Sequence, residues 1–333
     1  MTSKFTDIFW NTIYNDNTEN SIKNELTESY DLILSDPPYN IDYNNNRRVK
    51  TRDKIYWVDW ILNDKNNLEM IENVYNEYFR ILKEWKHIYI FTRWDVAQDH
   101  INLLKKAWFV IKNNLIWMKN SWSMGDLLWD YAWQYENILF WYKPYSKWKS
   151  KWKWDKLNKI WKITRHSNIL QYDRVVWNSQ IHSHQKPIDL LQFLIKKSTN
   201  IGDKVYDWFI GSNSLWLWAI SMMRKYSGAE LNTDVFEKAK NITEELTNQL
   251  HLFINNKNNN KYLYIPELHL FLIDKKYLSK LSEDIIIKWS KSKFVLNKDY
   301  LKNSDNLEYN WFYIDKYEYN DCYIYNIRNL FIK

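Results

Sequence analysis

Cysteine is almost absent: Cys322 stands alone in 333 residues. One thiol builds neither a disulfide framework nor a cysteine-rich zinc site. Uncharged apolar runs of membrane-spanning length are also missing from the sequence. The amino end, MTSKFTDIFWNTIYND, has no basic start followed by an apolar core, so no signal peptide is expected. These absences predict a cytoplasmic protein without a membrane partner. Paired Ser–His and metal-spaced His patterns are lacking too, so the reading has no place for a metal. Glycine is scarce in a different way. At the usual share of about 7%, a chain this long should carry ~23, yet it has 4. Tryptophan runs the other way, at 21. The glycine shortfall, roughly 19, nearly equals the whole tryptophan count.

What is present is basic and well supplied with core. The net charge of +7 and pI near 9.0 favour a polyanionic partner. With 45% hydrophobic residues, the chain can bury a sizeable core. YDLILS, 30–35, reads as a buried strand stopped by DPPYN, and residues 41–65 read as polar and irregular. Leu68, Ile71, Val74, Tyr75, Tyr78 and Leu82 recur at helical spacing, which predicts a helix over about 66–84. A strand at 87–91, a helix at 95–107 and strands near 109–117 and 136–142 follow. Pro187 opens a further helix, with Ile188, Leu190, Leu191, Leu194 and Ile195 on its apolar side. KVYD, 204–207, is a strand, 214–225 a helix and 226–231 a strand. Asp234 is predicted to cap the next helix, which carries Val235, Phe236, Ala239, Ile242 and Leu246. This alternation predicts an α/β protein with a mostly parallel sheet.

Asp-Pro-Pro-Tyr, 36–39, sits just past a buried strand, where open α/β sheets gather functional groups. Two prolines stiffen the turn and remove two donors, so their carbonyls can serve as acceptors. Asp36 adds a carboxylate and Tyr39 an aromatic face. Acceptors beside a stacking plate suit a planar ring with an exocyclic amino group, such as flipped adenine or cytosine. A plain Pro-Pro turn with a solvated aspartate fits the same four residues.

Three further pieces carry a resemblance. DWFIGSNS, 207–214, resembles the cofactor loop of S-adenosylmethionine-dependent methyltransferases. HSHQKP, 182–187, resembles the HPTQKP segment that precedes the cofactor strand. Together with DPPY they look like the amino-methyltransferases of DNA. The order, with DPPY first and the cofactor loop last, resembles the permuted β class, rich in adenine-specific enzymes of restriction–modification systems. The resemblance covers about residues 5–250. It implies a seven-stranded mixed methyltransferase sheet, Rossmann-like, with helices on both faces. It implies S-adenosylmethionine as cofactor and adenine N6 in double-stranded DNA as substrate. Asp36, Pro37, Pro38 and Tyr39 match the catalytic loop. Asp207, Phe209, Gly211, Ser212, Asn213 and Ser214 match the cofactor turn, and Glu230 the ribose acid. Asn11 stands where the family often has an Asp near the cofactor adenine. Lys186, with His182 and Gln185, matches the segment near the methionine end of the cofactor. His184 and Ser183 depart from the family's Thr and Pro. A cytosine-N4 enzyme, an RNA or protein amide methyltransferase and a catalytically dead DNA-binding homologue are the rival readings.

The implied organisation has four parts: residues 1–142, a catalytic half; 143–181, an inserted recognition segment; 182–250, a cofactor half; and 251–333, an accessory module. The recognition segment is strongly basic, with Lys147, Lys149, Lys151, Lys153, Arg165 and Arg174 as DNA contacts. The tail is expected to be a small separable module that aids DNA binding or dimer contact. A cognate restriction endonuclease and a second copy of the chain are the further candidate partners. Against the family pattern, Trp10, Trp85, Trp108, Trp141 and Trp216 occupy glycine or small-residue positions. A UGA codon read as Trp in one code and Gly in another would produce this swap, so most of the tryptophans are expected to be glycine in the living protein. The turn positions among them should then need positive φ.

Overall fold

The computed structural model describes residues 3–7, 11–37, 49–51, 54–56, 68–121, 134–145, 166–173, 186–207, 219, 221–256, 261–265, 270–283, 285–289, 292–296, 306–309, 312–319 and 322–329. The first strands are β1 (Ser3–Thr6), β2 (Thr12–Asn15), β3 (Tyr30–Ser35), β4 (Val49–Thr51) and β5 (Lys54–Tyr56). They are followed by β6 (Leu82–Thr92), β7 (Val110–Met118), β8 (Tyr135–Tyr142), β9 (Ile169–Gln171), β10 (Lys204–Asp207) and β11 (Lys225–Glu230). The helices among them are α1 (Thr18–Ser21), α2 (Leu68–Ile81), α3 (Ala97–Lys106), α4 (Ile188–Ser198) and α5 (Thr233–Asn256). Nine strands join in one sheet, ordered β1-β2-β11-β10-β3-β6-β8-β7-β9. The expected seven run from β2 to β7, and β1 and β9 extend the two edges. β2, β11, β10, β3 and β6 are parallel, while β8 runs antiparallel to both β6 and β7.

The central strands are buried on both faces, so their sequences read as unbroken apolar runs. β6 shows the division: Ile88 and Ile90 pack with α2 and α3 on one side, through Tyr75, Tyr78 and Leu104. Tyr89 and Phe91 face the other way, onto Leu190, Leu194 and Phe236 of α4 and α5. Helices therefore cover both faces.

Several boundaries differ from the sequence reading. α2 ends at Ile81 and β6 begins at Leu82, because that buried pair serves either pattern. Residues 49–56, read as irregular, include the hairpin of β4 and β5. The cap of α5 is Asn232, whose Oδ1 accepts from the backbone amides of Asp234 and Val235 at 2.9 and 3.1 Å. Asp234 sits in the first turn instead, where its charge suits the helix dipole. The proposed helix over 214–225 lies mostly outside the described residues. Two tryptophans do occupy left-handed turns: Trp85 at φ 64° and Trp108 at φ 68°. Trp141 behaves differently, lying fully buried among the core aromatics with its indole nitrogen unpartnered. Trp10 and Trp216 lie outside the described residues.

α5 runs through the expected boundary at 250, and Leu250, Phe253 and Ile254 on its last turns are buried. The tail continues with β12 (Tyr262–Ile265), β13 (Leu270–Asp274), α6 (Lys275–Ser279), β14 (Ile285–Trp289) and β15 (Ser292–Leu296). β16 (Asn306–Tyr309), β17 (Phe312–Tyr319) and β18 (Cys322–Asn329) complete it. Five of these strands form an antiparallel sheet, ordered β12-β13-β18-β17-β16. Ile265, Leu270 and Leu272 join the same apolar cluster as the end of α5, so the tail shares core with the large sheet. Among the described residues, no helix is long and apolar enough to cross a membrane.

Candidate active site

Strand directions decide which residues can meet. The parallel strands β10, β11 and β3 end at one edge of the sheet, with Asp207, Glu230 and Ser35 as their last residues. Asp36 and the buried Pro37 follow directly. Because β8 is antiparallel, its start lies at that edge too, and Trp117 of β7 pairs with Glu136. The chain leaves β10 for β11 on one side, while β3 and β6 lie on the other. That reversal between neighbouring strands is where open α/β sheets form a crevice.

Four charged side chains line up at this edge. Lys186 Nζ lies 2.8 Å from Asp36 Oδ2 and 3.0 Å from Glu136 Oε2. Lys119 Nζ meets Glu136 Oε1 at 2.5 Å. Aromatic faces line the cations: Lys186 is 5.0 Å from the Phe91 ring centre, and Lys119 is 4.8 Å from that of Trp117. Trp117 is itself fixed by donating Nε1–H to the Tyr172 carbonyl at 2.9 Å. Burial pushes the Glu136 carboxyl up, but the Lys186 and Lys119 ammoniums outweigh it and hold it at about 2. Burial pulls the Lys186 ammonium down, and the Asp36 and Glu136 carboxylates reverse that, holding it above the ordinary lysine range. Both groups stay charged across the neutral range. Glu136 and Lys119 were not singled out from the sequence. The available signal was an acid opening the otherwise apolar strand ENILFWY.

Toward β10 and β11 the edge carries carboxylates. Asp207 is buried, with the Tyr226 hydroxyl at 3.5 Å from Oδ2. Glu230 Oε1 accepts from the Asn232 amide at 2.8 Å, which turns the chain into α5. Asn15, at the end of β2, donates to the Glu230 carbonyl at 3.1 Å and accepts from the Thr233 hydroxyl. Asn11 is not at this edge. It precedes β2 at the opposite end of the sheet, buried, with its amide nitrogen on Asp7 Oδ2 at 2.8 Å. Its amide oxygen accepts from the Tyr226 backbone at 2.7 Å, so the side chain ties β11 to the turn after β1. The structure thus brings Asp36, Pro37, Lys186, Asp207 and Glu230 to one edge and leaves Asn11 at the other. Pro38, Tyr39, His182, Ser183, His184, Gln185, Phe209, Gly211, Ser212, Asn213 and Ser214 lie outside the described residues. So do Lys147, Lys149, Lys151, Lys153, Arg165 and Arg174.

A family model of DNA methylases of the N6/N4 type matches residues 30–241, well over half of the chain. The chain belongs to this N6/N4 DNA methylase family. The matched span begins at β3 and ends within α5, so it contains the whole charged edge. The DNA adenine methyltransferase YhdJ of Escherichia coli is 27% identical over 236 residues, covering 64% of this chain and 76% of its own. The M1.HpyAVI structure, solved with S-adenosylmethionine, superposes with a TM-score of 0.50 at 22% identity. That likeness covers 69% of this chain and 97% of the other. The cytosine-N4-specific PvuII DNA methyltransferase superposes with a TM-score of 0.52 at 18% identity, over 74% and 92%. The two structural likenesses are of fold.

Proposed function

We propose that this methylase transfers a methyl group from S-adenosylmethionine to adenine N6 in double-stranded DNA. The observation that carries the reading is Asp36, a carboxylate presented just past β3 at the crevice edge and held there by a buried lysine. Its side chain keeps 30% exposure while Lys186 keeps 11%, so the acid is the member of the pair turned outward. The cofactor supplies an electrophilic methyl on a sulfonium. Asp207 and Glu230 fit such a donor, since carboxylates at adjacent strand ends suit its ribose hydroxyls and its positive charge. Phe209, Gly211, Ser212, Asn213 and Ser214 would complete that side, with Lys186 next to it.

Asp36 and the Pro37 carbonyl would accept hydrogen bonds from the amino group of the flipped base, with Pro38 stiffening the turn and Tyr39 stacking on the ring. As the amino nitrogen gains positive charge, a fixed carboxylate beside it lowers the barrier without reorganising. We read the chain order as that of the permuted β class, and 143–181 as the segment that recognises the DNA site. Exchanging residues 145–180 with those of a related enzyme should move the preferred sequence.

Cytosine-N4 methylation is the second reading, because the family spans both chemistries and the acceptor geometry serves either ring. Aspartate at the first position of the tetrad leans towards adenine. Purified protein is incubated with labelled S-adenosylmethionine and DNA, and the product is digested to nucleosides. N6-methyladenine supports the first reading and N4-methylcytosine the second. Label in neither nucleoside overturns both.

A further inference from the structure

We propose that Glu136, backed by Lys119, is a positioning residue that acts through Lys186 to set how Asp36 meets the substrate amino group. The inference rests on the amino-methylation reading of Asp36 and deepens it. The four groups alternate in sign: Asp36, Lys186, Glu136, Lys119, with successive contacts of 2.8, 3.0 and 2.5 Å. Side-chain exposure falls from 30% at Asp36 to 11, 17 and 13% along the row. Asp36 is therefore the open end of the row, and the three groups behind it are mostly enclosed.

Of the three groups that meet at the lysine, Glu136 has the stiffest anchor. Asp36 lies in the turn after β3. Lys186 comes just before α4. Glu136 is paired within the sheet, opposite Trp117, and its neighbour Asn137 pairs with Thr92 of β6. A side chain rooted in the middle of a sheet is a better reference point than one on a turn. Glu136 also divides the lysine's donation. With both carboxylates present, Lys186 gives one hydrogen to each, and neither acid takes the whole charge. Without the Glu136 charge, Lys186 would lean on Asp36 and compete with the substrate amino group for the same acceptor.

Among the described residues, Asp36 from the turn after β3 and Glu136 from β8 meet the lysine, with Lys119 of the β7 end behind Glu136. Glu136→Gln removes one of the two carboxylates that keep the buried lysine protonated. Its proton should then leave at lower pH than in the wild type, because burial opposes the ammonium.

The test uses the full chain carrying Glu136→Gln, with Lys119→Gln as a second, more peripheral variant. Single-turnover methyl transfer to DNA should fall on the order of 10²-fold in Glu136→Gln, the scale of a misplaced catalytic group, with cofactor affinity within about twofold. The alkaline limb of its pH–rate profile should move to lower pH. Lys119→Gln should lower the rate less far and should shift the lysine titration upward, because it removes a neighbouring cation and leaves the Glu136 charge to Lys186. Titration of the Lys186 ammonium by nitrogen NMR is read alongside, assigned by its loss in Lys186→Met. A lowered lysine titration in Glu136→Gln supports the coupling even if the wild type methylates no DNA tried, in which case the functional reading fails separately. A wild-type rate and pH profile in a folded Glu136→Gln, or an unmoved lysine titration, overturns the proposal. Should Glu136→Gln not fold, Lys119→Gln decides: a reduced rate with the lysine titration moved upward supports the row, and a wild-type rate with an unmoved or lowered titration overturns it.

Discussion

An aspartate stands near each end of β3, Asp31 inside it and Asp36 just past it, and lysines meet both. At the edge where the parallel strands begin, Asp31 is enclosed. Its Oδ2 accepts from Lys83 Nζ at 2.8 Å and from the Lys204 amide at 3.1 Å, and its Oδ1 meets Lys86 Nζ at 3.0 Å. The acid is 6% exposed and the two lysines 42 and 23%. At the far edge the burial is inverted: Asp36 is 30% exposed and Lys186 11%. A buried acid under exposed lysines is a clasp, since water screens the cations and the acid touches only protein. A buried lysine under an exposed acid is a mount. On the proposed function, the same residue types near the two ends of one strand serve stability at one end and presentation at the other.

The largest expected effect breaks the mount. Asp36→Ala should lower methyl transfer by ~10²–10³, the usual consequence of removing a preorganised group that meets developing charge. Lys186 keeps Glu136 as a partner, so the fold should hold. Cofactor affinity should change little, because the proposed cofactor residues are those of the 207–214 turn and Glu230. Calorimetric binding of S-adenosylmethionine beside a single-turnover assay separates the two effects. Asp36→Asn keeps the shape and one acceptor oxygen, and its rate should fall between wild type and alanine. Wild-type transfer in Asp36→Ala would make both ends of β3 structural and erase the contrast.

Breaking the clasp should do the reverse. Asp31→Asn removes the charge that Lys83 and Lys86 share, leaving Lys86 with Asp203, and should cost roughly 1–3 kcal/mol of stability, read by urea unfolding, with the rate per folded molecule kept. Burial pushes the Asp31 carboxyl up, but the Lys83 hydrogen bond, the Lys204 amide and Lys86 outweigh it and hold it below the usual range. Its folded value is thus below its unfolded one. The contribution is whole above about pH 4 and is lost as pH falls through the folded value. Two histidines, the buried His100 and the partly buried His87, act earlier. Burial holds His87 at about 3, with Lys112, Lys86 and Lys197 adding to it, and holds His100 at about 4. Both are neutral when folded and charge in the unfolded chain below about 6.5, so stability starts to fall there. The wild type should lose stability from about pH 6.5 downward, with a further loss below about 4. Asp31→Asn should keep the first loss and shrink the second.

The two ends of β3 were unequally legible in the sequence. Asp36 stood in a four-residue motif just past a buried strand, so its place at the sheet edge could be read locally. Asp31 is one letter inside YDLILS, and its partners Lys83, Lys86 and Lys204 lie far along the chain. Glu136 was hidden for the same reason, since Lys186 is 50 positions away. Pairing across a sheet is set by strand order, which composition and spacing do not carry. Local signals also failed where two neighbours had the same chemistry. Asn232 and Asp234 are both good caps, and only the turn after Glu230 selects the first. Asn11 was placed by its position in a pattern, whereas its amide is used to tie β11 to the Asp7 turn.

The smallest effect bears on how the clasp is shaped. Lys83 and Lys86 reach the two oxygens of Asp31 because the chain between them turns at Trp85, with φ 64°. The pairing of β3 with β6 shifts register there, between Tyr30 and Leu32. A left-handed backbone costs an L-residue roughly 1–2 kcal/mol and costs glycine almost nothing. Trp85 recovers part of that by stacking on Tyr142, with ring centres 5.8 Å apart and planes within 6°. Trp108, at φ 68°, is 76% exposed and has far less burial to offset the same cost. Trp108→Gly should therefore stabilise the protein by up to ~1 kcal/mol. Trp85→Gly should come out within about 0.5 kcal/mol of wild type, strain relief balancing lost stacking. Trp85→Ala loses the stack and keeps the strain, so it should be the least stable of the three. That ranking is what tryptophans standing at glycine positions require, and urea unfolding of the three variants reads it. UGA codons at 85 and 108, and intact mass of the native protein matching glycine there, would make the swap a fact of translation. UGG at both positions would make them true tryptophans, and the clasp at Asp31 would then be built on a strained turn.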